Sequence, residues 1–310
     1  MFVPLGKPVQ NNGTIGADSA TGNKAIDFEL SDPKHSLDDV ILNEETRNEI
    51  VALISHKRDH SLVFEKMGFS STHRHSNRFV ANFYGEPGTG KTIAAHAIAR
   101  EFGKKILIVD YSQIESKYVG DTPKNLKKVF DFCKHENCVI FFDEADAILS
   151  RRVTNMQSST DTSVNQTRSV LLNILNEFNG DIIFATNFIS NYDPAFMRRI
   201  SKHIKFNLPD REIRKALFKK YIPVQMSGYS DIEALATASD ELSAADIENS
   251  TLMAAFAVAS QNRPIVTTSD IARQIALIRT SKLHNKGDHS TVTTRPVSEE
   301  YAKQQLGNPA

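Results

Sequence analysis

The chain has 310 residues, 40% hydrophobic and 24% charged, which is the balance of a globular protein with an ordinary core and excludes a disordered or fibrous one. Lys plus Arg and Asp plus Glu each number 37, so the formal net charge is zero; this argues against bulk binding to nucleic acid or acidic membrane, which leaves a basic footprint. No stretch approaches the roughly 18 apolar residues of a membrane span, and MFVPLGKPVQNNGTIG at the start has no apolar signal region, so the expected location is cytoplasmic and no membrane partner is expected.

Residues 1–36 are rich in Gly, Asn, Ser and Thr without periodicity and read as a flexible leader. Asn43 to Lys57 reads as a helix, with acids early and bases late as the helix dipole prefers. Short apolar runs then alternate with helical patterns: FVANFY (79–84), KILIVD (105–110), CVIFFD (138–143), DIIFATN (181–187) and HIKFNL (203–208). Near-continuous apolar strands separated by helices predict an α/β fold, a parallel sheet covered on both faces in three αβα layers, over residues 37–210. After Pro209 the strands stop. Residues 211–282 read as a small helical subdomain, two of its helices opening with capping boxes at Ser243/Asp246 and Thr267/Asp270. Residues 283–310 read as a polar tail. The two cysteines, Cys133 and Cys138 in CKHENC, have no second ligand pair elsewhere; they read as a helix residue and a strand residue in a reducing compartment.

GEPGTGKT, Gly85 to Thr92, matches the phosphate-binding pattern G-x-x-x-x-G-K-[ST] between a strand and a helix, the context the pattern needs. Gly85, Pro87, Gly88, Thr89 and Gly90 form a loop whose backbone N–H groups can converge on an anion at the positive end of a helix. Lys91 is expected on the β- and γ-phosphates and Thr92 on Mg²⁺, which makes ATP with Mg²⁺ the expected cofactor pair of a P-loop NTPase. In CVIFFDEAD the apolar strand ends in Asp143 and Glu144, at the sheet edge where ligands bind in open α/β sheets. Asp143 suits the Mg²⁺ shell and Glu144 suits polarising the water that attacks the γ-phosphate.

Several machines share these two elements. The base-reading N-K-x-D of guanine-specific enzymes is absent in usable form. The letters DEAD at Asp143–Asp146 suggest an RNA helicase, but that class needs two similar domains and a Ser-Ala-Thr motif, where this chain carries FATN. FATNFISNYDPAFMRRI (Phe184 to Ile200) places Asn187 at a strand end and Arg198 and Arg199 just before the next strand. With these residues, and with SAADI further on, the chain resembles the AAA+ ATPases, in particular the group of protein unfoldases and remodellers, from about Leu37 to Lys282.

The resemblance implies roles position by position. Asn187 matches sensor 1, which aligns the attacking water. Arg198 and Arg199 match arginine fingers that reach the γ-phosphate of a neighbouring subunit, a task suited to arginine's fixed charge and planar fork. The segment after them is contracted relative to the family, which leaves open which of the two touches nucleotide. Val40 and Ile41, in DDVI, match the adenine-pocket segment, and Ala245 stands where other clades carry a sensor 2 arginine. Lys117, Tyr118, Val119 and Gly120 match the aromatic–hydrophobic–glycine loop that lines the central pore, where Tyr118 would grip an extended peptide. Fingers acting in trans imply a ring, a homohexamer in the resemblance.

The expectation is therefore an ATPase that remodels a protein or peptide substrate. The leader and Ser158–Leu172 are also compatible with the pachytene-checkpoint-like subgroup, whose substrates are HORMA-domain proteins and whose bacterial members act in antiphage (antiviral) defense. The alternatives are a nucleic-acid motor or loader on the same fold and a nucleotide-gated scaffold with little turnover. The polar stretch Val153–Asn165 reads as a loop, either pore-facing or a plain linker.

Overall fold

The computed structural model describes residues 30–73, 78–110, 121–150, 159–187 and 192–287. Six strands form one sheet: β1 (Leu30–Ser31), β2 (Phe79–Gly85), β3 (Ile106–Asp110), β4 (Val139–Asp143), β5 (Asp181–Thr186) and β6 (Lys202–Phe206). Their spatial order is β1-β3-β4-β5-β2-β6. All neighbours run parallel except β1, which pairs antiparallel with β3. The sheet thus begins inside the segment read as a leader, with Leu30 opposite Leu107 and Ser31 opposite Ile106. A strand of two residues has no periodicity to read.

Alternation along each strand splits the core into two layers. Ile140 and Phe142 of β4 point to the face covered by α3 (Asp121–Glu136) and α5 (Ser159–Glu177). Val139 and Phe141 point to the face covered by α1 (Glu44–Arg58) and α2 (Lys91–Glu101). Both phenylalanines are fully buried, and burial of such a side chain stabilises by about 1.5–3 kcal/mol. That two-sided burial is why the strands read as continuous apolar runs.

Two short helices follow the catalytic-edge strands: α4 (Asp146–Leu149) after β4, and α6 (Pro194–Met197) between β5 and β6. Beyond β6 lie α7 (Arg211–Tyr221), α8 (Ile232–Ala238), α9 (Ala244–Ala259) and α10 (Thr268–Gly287), which share a separate core including Leu217, Phe218, Leu235, Ile247 and Ile271. Ser243 caps α9 in a reciprocal capping box with Asp246, and the Thr267 N–H and hydroxyl both donate to Asp270 at the head of α10. α10 runs to Gly287, past the boundary expected at residue 282.

One further expectation shifts. Helix α5 already runs from Ser159, so the second half of Val153–Asn165 is helical rather than loop, and 153–158 lie outside the described residues. At the far end of the sheet, buried Asp181 is held by Lys57 Nζ at 2.6 Å and Lys104 Nζ at 2.8 Å, the pairing a buried carboxylate requires. Among the described residues no helix is long and apolar enough to cross a membrane.

Candidate active site

The order β4-β5-β2 puts three strand ends side by side: Asp143 and Glu144 after β4, Asn187 after β5, and the glycine loop after β2. They open on a cavity of about 310 Å³. Pro87, Gly88, Gly90, Lys91 and Thr92 line one side of it, and Asp143, Glu144 and Asn187 another. The third wall comes from the helical subdomain: Tyr221 at the end of α7, with Ala244, Ala245 and Glu248 on α9.

The loop's shape depends on glycine at Gly88. Its φ is +74°, and a Cβ there would lie 2.7 Å from Ser243 Oγ and 2.8 Å from Ala245 Cβ. The subdomain therefore seats directly on the phosphate loop. Gly90, with φ +99°, turns the chain into α2, so the free N–H groups of the first helical turn face the cavity region. Thr89 is buried and braces the turn from within, its hydroxyl donating to the Glu86 carbonyl at 2.8 Å.

Lys91 is the buried cation of the site. Its ammonium donates to the carbonyls of Gly85 (2.7 Å) and Glu86 (3.0 Å) and to Asn187 Oδ1 (3.3 Å). Burial lowers its pKa, and the carboxylates of Asp143, Asp146 and Glu86 oppose that drop. Thr92 Oγ1 donates to Asp143 Oδ2 at 3.4 Å, so a hydroxyl and a carboxylate stand together at one spot. Hard oxygen donors of this kind suit Mg²⁺, which takes one or two protein ligands and leaves the rest of its shell to water and phosphate. Asp143, Glu144 and Glu248 also make the walls acidic around a single lysine, so a polyphosphate is accommodated best with a divalent cation. The residues present thus fit ATP with Mg²⁺.

Glu144 has φ +51°, a left-handed conformation seldom taken by residues other than Gly, Asn and Asp. Its N–H donates to Asp143 Oδ1 (3.0 Å), and the next N–H, of Ala145, donates to the Ala185 carbonyl on β5 (2.9 Å). The strained turn is thereby held at the strand end, with the Glu144 carboxylate exposed on the cavity wall. Asn187 is anchored separately: its backbone N–H donates to Asp146 Oδ2 at 3.1 Å.

The two arginines differ. Arg199 is engaged within its own chain, with Nε on Asn176 Oδ1 and Nη1 on the Ala195 carbonyl, both at 2.8 Å. Arg198 is exposed and makes no side-chain hydrogen bond or ion pair among the described residues. Neither lines the cavity. Val40 and Ile41 do not line it either: Val40 is buried against the α1/α2 face, and Ile41 packs on the core of the helical subdomain. Ala245 does line it. Lys117, Tyr118, Val119 and Gly120 lie outside the described residues.

Sequence reasoning missed Tyr221 and Glu248. Burial and the charge of the neighbouring Glu248 carboxylate push the Tyr221 phenol up to about 12. Tyr221 carries no motif, whereas Glu248 lies one helical turn beyond Ala244, on the face of α9 that SAADI already marks.

Residues 81–208 match the family model described as ATPase family associated with various cellular activities (AAA). Over 200 residues the chain is 34% identical to 26S proteasome subunit RPT4 of Saccharomyces cerevisiae, an alignment covering 62% of this chain and 46% of that protein. It is 32% identical over 218 residues to the probable 26S proteasome regulatory subunit 10B of Caenorhabditis elegans, covering 67% and 53%. The 26S proteasome regulatory subunit 10B of Dictyostelium discoideum is 34% identical over 218 residues, covering 67% and 55%. The chain spans about half the length of these curated relatives. Residues 81–208, which match this family model, carry the P-loop NTPase fold, and α7–α10 form a helical subdomain seated on its phosphate loop.

Proposed function

We propose that this chain is a subunit of an ATP-hydrolysing ring that remodels or unfolds a protein substrate. The observation that carries the reading is the division of the site: Lys91, Thr92, Asp143, Glu144 and Asn187 share one cavity, while Arg198 and Arg199 stand away from it. Lys91 would hold the β- and γ-phosphates, Thr92 and Asp143 would hold Mg²⁺, which would neutralise phosphate charge, Glu144 would accept the proton of the attacking water, and Asn187 would orient that water. Arg198 completes the cavity of the adjacent subunit, so turnover requires assembly, a homohexamer in the family resemblance. The relatives are named as proteasome regulatory subunits, which supports protein rather than nucleic acid as the substrate class. The Lys117–Gly120 loop supports it from the sequence.

The finer proposal, a HORMA-domain substrate in bacterial antiphage signalling, rests on the sequence resemblance alone. Its test is direct binding of a purified HORMA-domain protein to the Glu144→Gln ring loaded with ATP.

The reading as a whole is tested by phosphate release measured against protein concentration, with and without casein as a permanently unfolded polypeptide. The expected result is a cooperative rise with concentration, stimulation by casein, and loss of that stimulation in Tyr118→Ala with basal turnover kept within a few-fold. Concentration-independent turnover per subunit would overturn the ring. Stimulation by single-stranded DNA but not by casein would replace it with the nucleic-acid motor.

A further inference from the structure

Asn82 is a polar residue in the middle of β2, one strand in from the β6 edge of the sheet. β2 runs between β5 and β6, and Asn82 is fully buried there. A buried amide is costly unless its hydrogen bonds are made, so its partners indicate what it holds. Oδ1 accepts from the Tyr192 hydroxyl at 3.2 Å. Nδ2 approaches Nδ1 of His203 at 3.5 Å. An amide nitrogen can only donate, so in this contact Nδ1 is the acceptor, and burial lowers the His203 pKa, which favours the neutral ring. His203 Nε2 has no hydrogen-bond partner among the described residues.

Tyr192 stands just before α6 (Pro194–Met197), and Arg198 follows that helix. Through Tyr192 one buried amide therefore reaches the entry to the helix that presents Arg198. The backbone ties the same segment down twice more: Asp193 N–H donates to the Leu149 carbonyl of α4 at 3.0 Å, and Ser201 N–H donates to the Val80 carbonyl of β2 at 2.8 Å. A helix of about one turn is too short to fix its own place and takes its position from such anchors. Phe196, fully buried beneath it, supplies apolar contact, which is non-directional and would tolerate sliding. Directional hydrogen bonds to Asn82 would not.

We infer that Asn82 is a positioning residue for Arg198, setting through Tyr192 the height and register at which α6 presents the guanidinium to the neighbouring subunit. The inference rests on the reading of Arg198 as a trans-acting finger.

The test mixes subunits. Arg198→Ala subunits keep an intact cavity but supply no finger; Lys91→Ala subunits supply the finger but lack the phosphate-binding lysine. Mixing them is expected to restore phosphate release. Donors that carry Lys91→Ala with Asn82→Leu/Tyr192→Phe, which removes both hydrogen-bonding partners and keeps the apolar volume, are expected to restore about tenfold less, as small misplacements of a catalytic group do. In the Lys91-intact background the same double variant is expected to bind ATP as wild type does and to incorporate equally into rings, a separation that a merely structural role would not produce. Should the double variant fold poorly, Tyr192→Phe alone carries the test, with about threefold weaker rescue expected. Equal rescue by altered and unaltered donors would overturn this inference alone. No rescue by plain Lys91→Ala donors in assembled rings would overturn the trans-acting reading and this inference with it.

Discussion

The backbone N–H of Ala245 donates to the carbonyl of Gly88 across 3.1 Å, so the first turn of α9 is hydrogen-bonded to the phosphate loop itself. Any ligand that reshapes this loop acts on the helical subdomain through that bond and through the Ser243 and Ala245 side chains packed beside it. Capping of α9 is reinforced from the other end of the chain, because Lys282 on α10 pairs with the capping-box carboxylate of Asp246. Burial raises the Asp246 pKa, but the hydrogen bonds from Lys282 and Ser243 outweigh it and leave the group below its usual range.

Gly88→Ala is therefore expected to cost ATP affinity more than stability. The new Cβ would sit under 3 Å from two atoms of α9, at a φ that alanine takes at a cost of about 1 kcal/mol. We expect a loss of about tenfold or more in affinity, read by titration with a fluorescent ATP analogue. Gly68→Ala is the control: its φ is +80° but nothing lies within 4 Å of a Cβ there, so it should lower stability by about 1 kcal/mol and leave affinity unchanged.

Glu144→Gln keeps the side chain's size and removes its basicity. In the proposed site nucleotide binding relies on Lys91, Thr92 and the loop, and neither the Lys91 nor the Thr92 side chain hydrogen-bonds to the Glu144 side chain. Turnover should fall by about 10²-fold or more with ATP affinity within a few-fold of wild type, as measured by phosphate release and equilibrium binding. Turnover at the wild-type rate would remove Glu144 from the role of base.

The two arginines should separate in one pair of variants. Arg198→Ala deletes an exposed guanidinium with no intramolecular hydrogen bond among the described residues, so thermal stability should hold to within about 0.5 kcal/mol while kcat of the assembled ring falls by about 10³-fold. Arg199→Ala breaks the bonds to Asn176 and Ala195 and should cost about 1–2 kcal/mol of stability with a smaller loss of kcat. The reverse pattern would make Arg199 the finger and Arg198 a surface residue.

The strands that carry the site were legible because each is buried on both faces, so that mostly apolar residues run up to Gly85, Asp143 and Asn187. The phosphate loop was legible because its chemistry is local in the chain. What stayed hidden was long-range. The order β4-β5-β2, which brings Asn187 between the carboxylates and Lys91, is a property of pairing and not of any one segment. Asn82 breaks an apolar strand, and its partner, the Tyr192 hydroxyl, comes from far along the chain. Tyr221 joins the site from the helical subdomain, and its only signal is its place at the end of α7. Arg198 and Arg199 are adjacent letters whose difference exists only in what each touches.

The pKa of Lys91 gives a prediction with a definite sign. Burial depresses it, and the first charge opposing the drop is that of Asp143. In the folded protein the group binds fewer protons than in the unfolded chain between its two pKa values, so its cost to stability is relieved as pH rises through the folded value. Phosphate binding needs the ammonium, so ATP opposes that deprotonation. The rise in Tm produced by ATP without Mg²⁺ should then be full near neutral pH and fade as pH climbs, with a midpoint below the roughly 10.4 of a free lysine. Asp143→Asn removes an anion that raises the lysine's pKa, so its midpoint should lie lower still. Thermal shift measured across pH in both proteins tests this. A midpoint in the variant equal to or above that of wild type would mean that Asp143 does not act on Lys91 and that the cavity is more open to solvent than its buried ammonium implies.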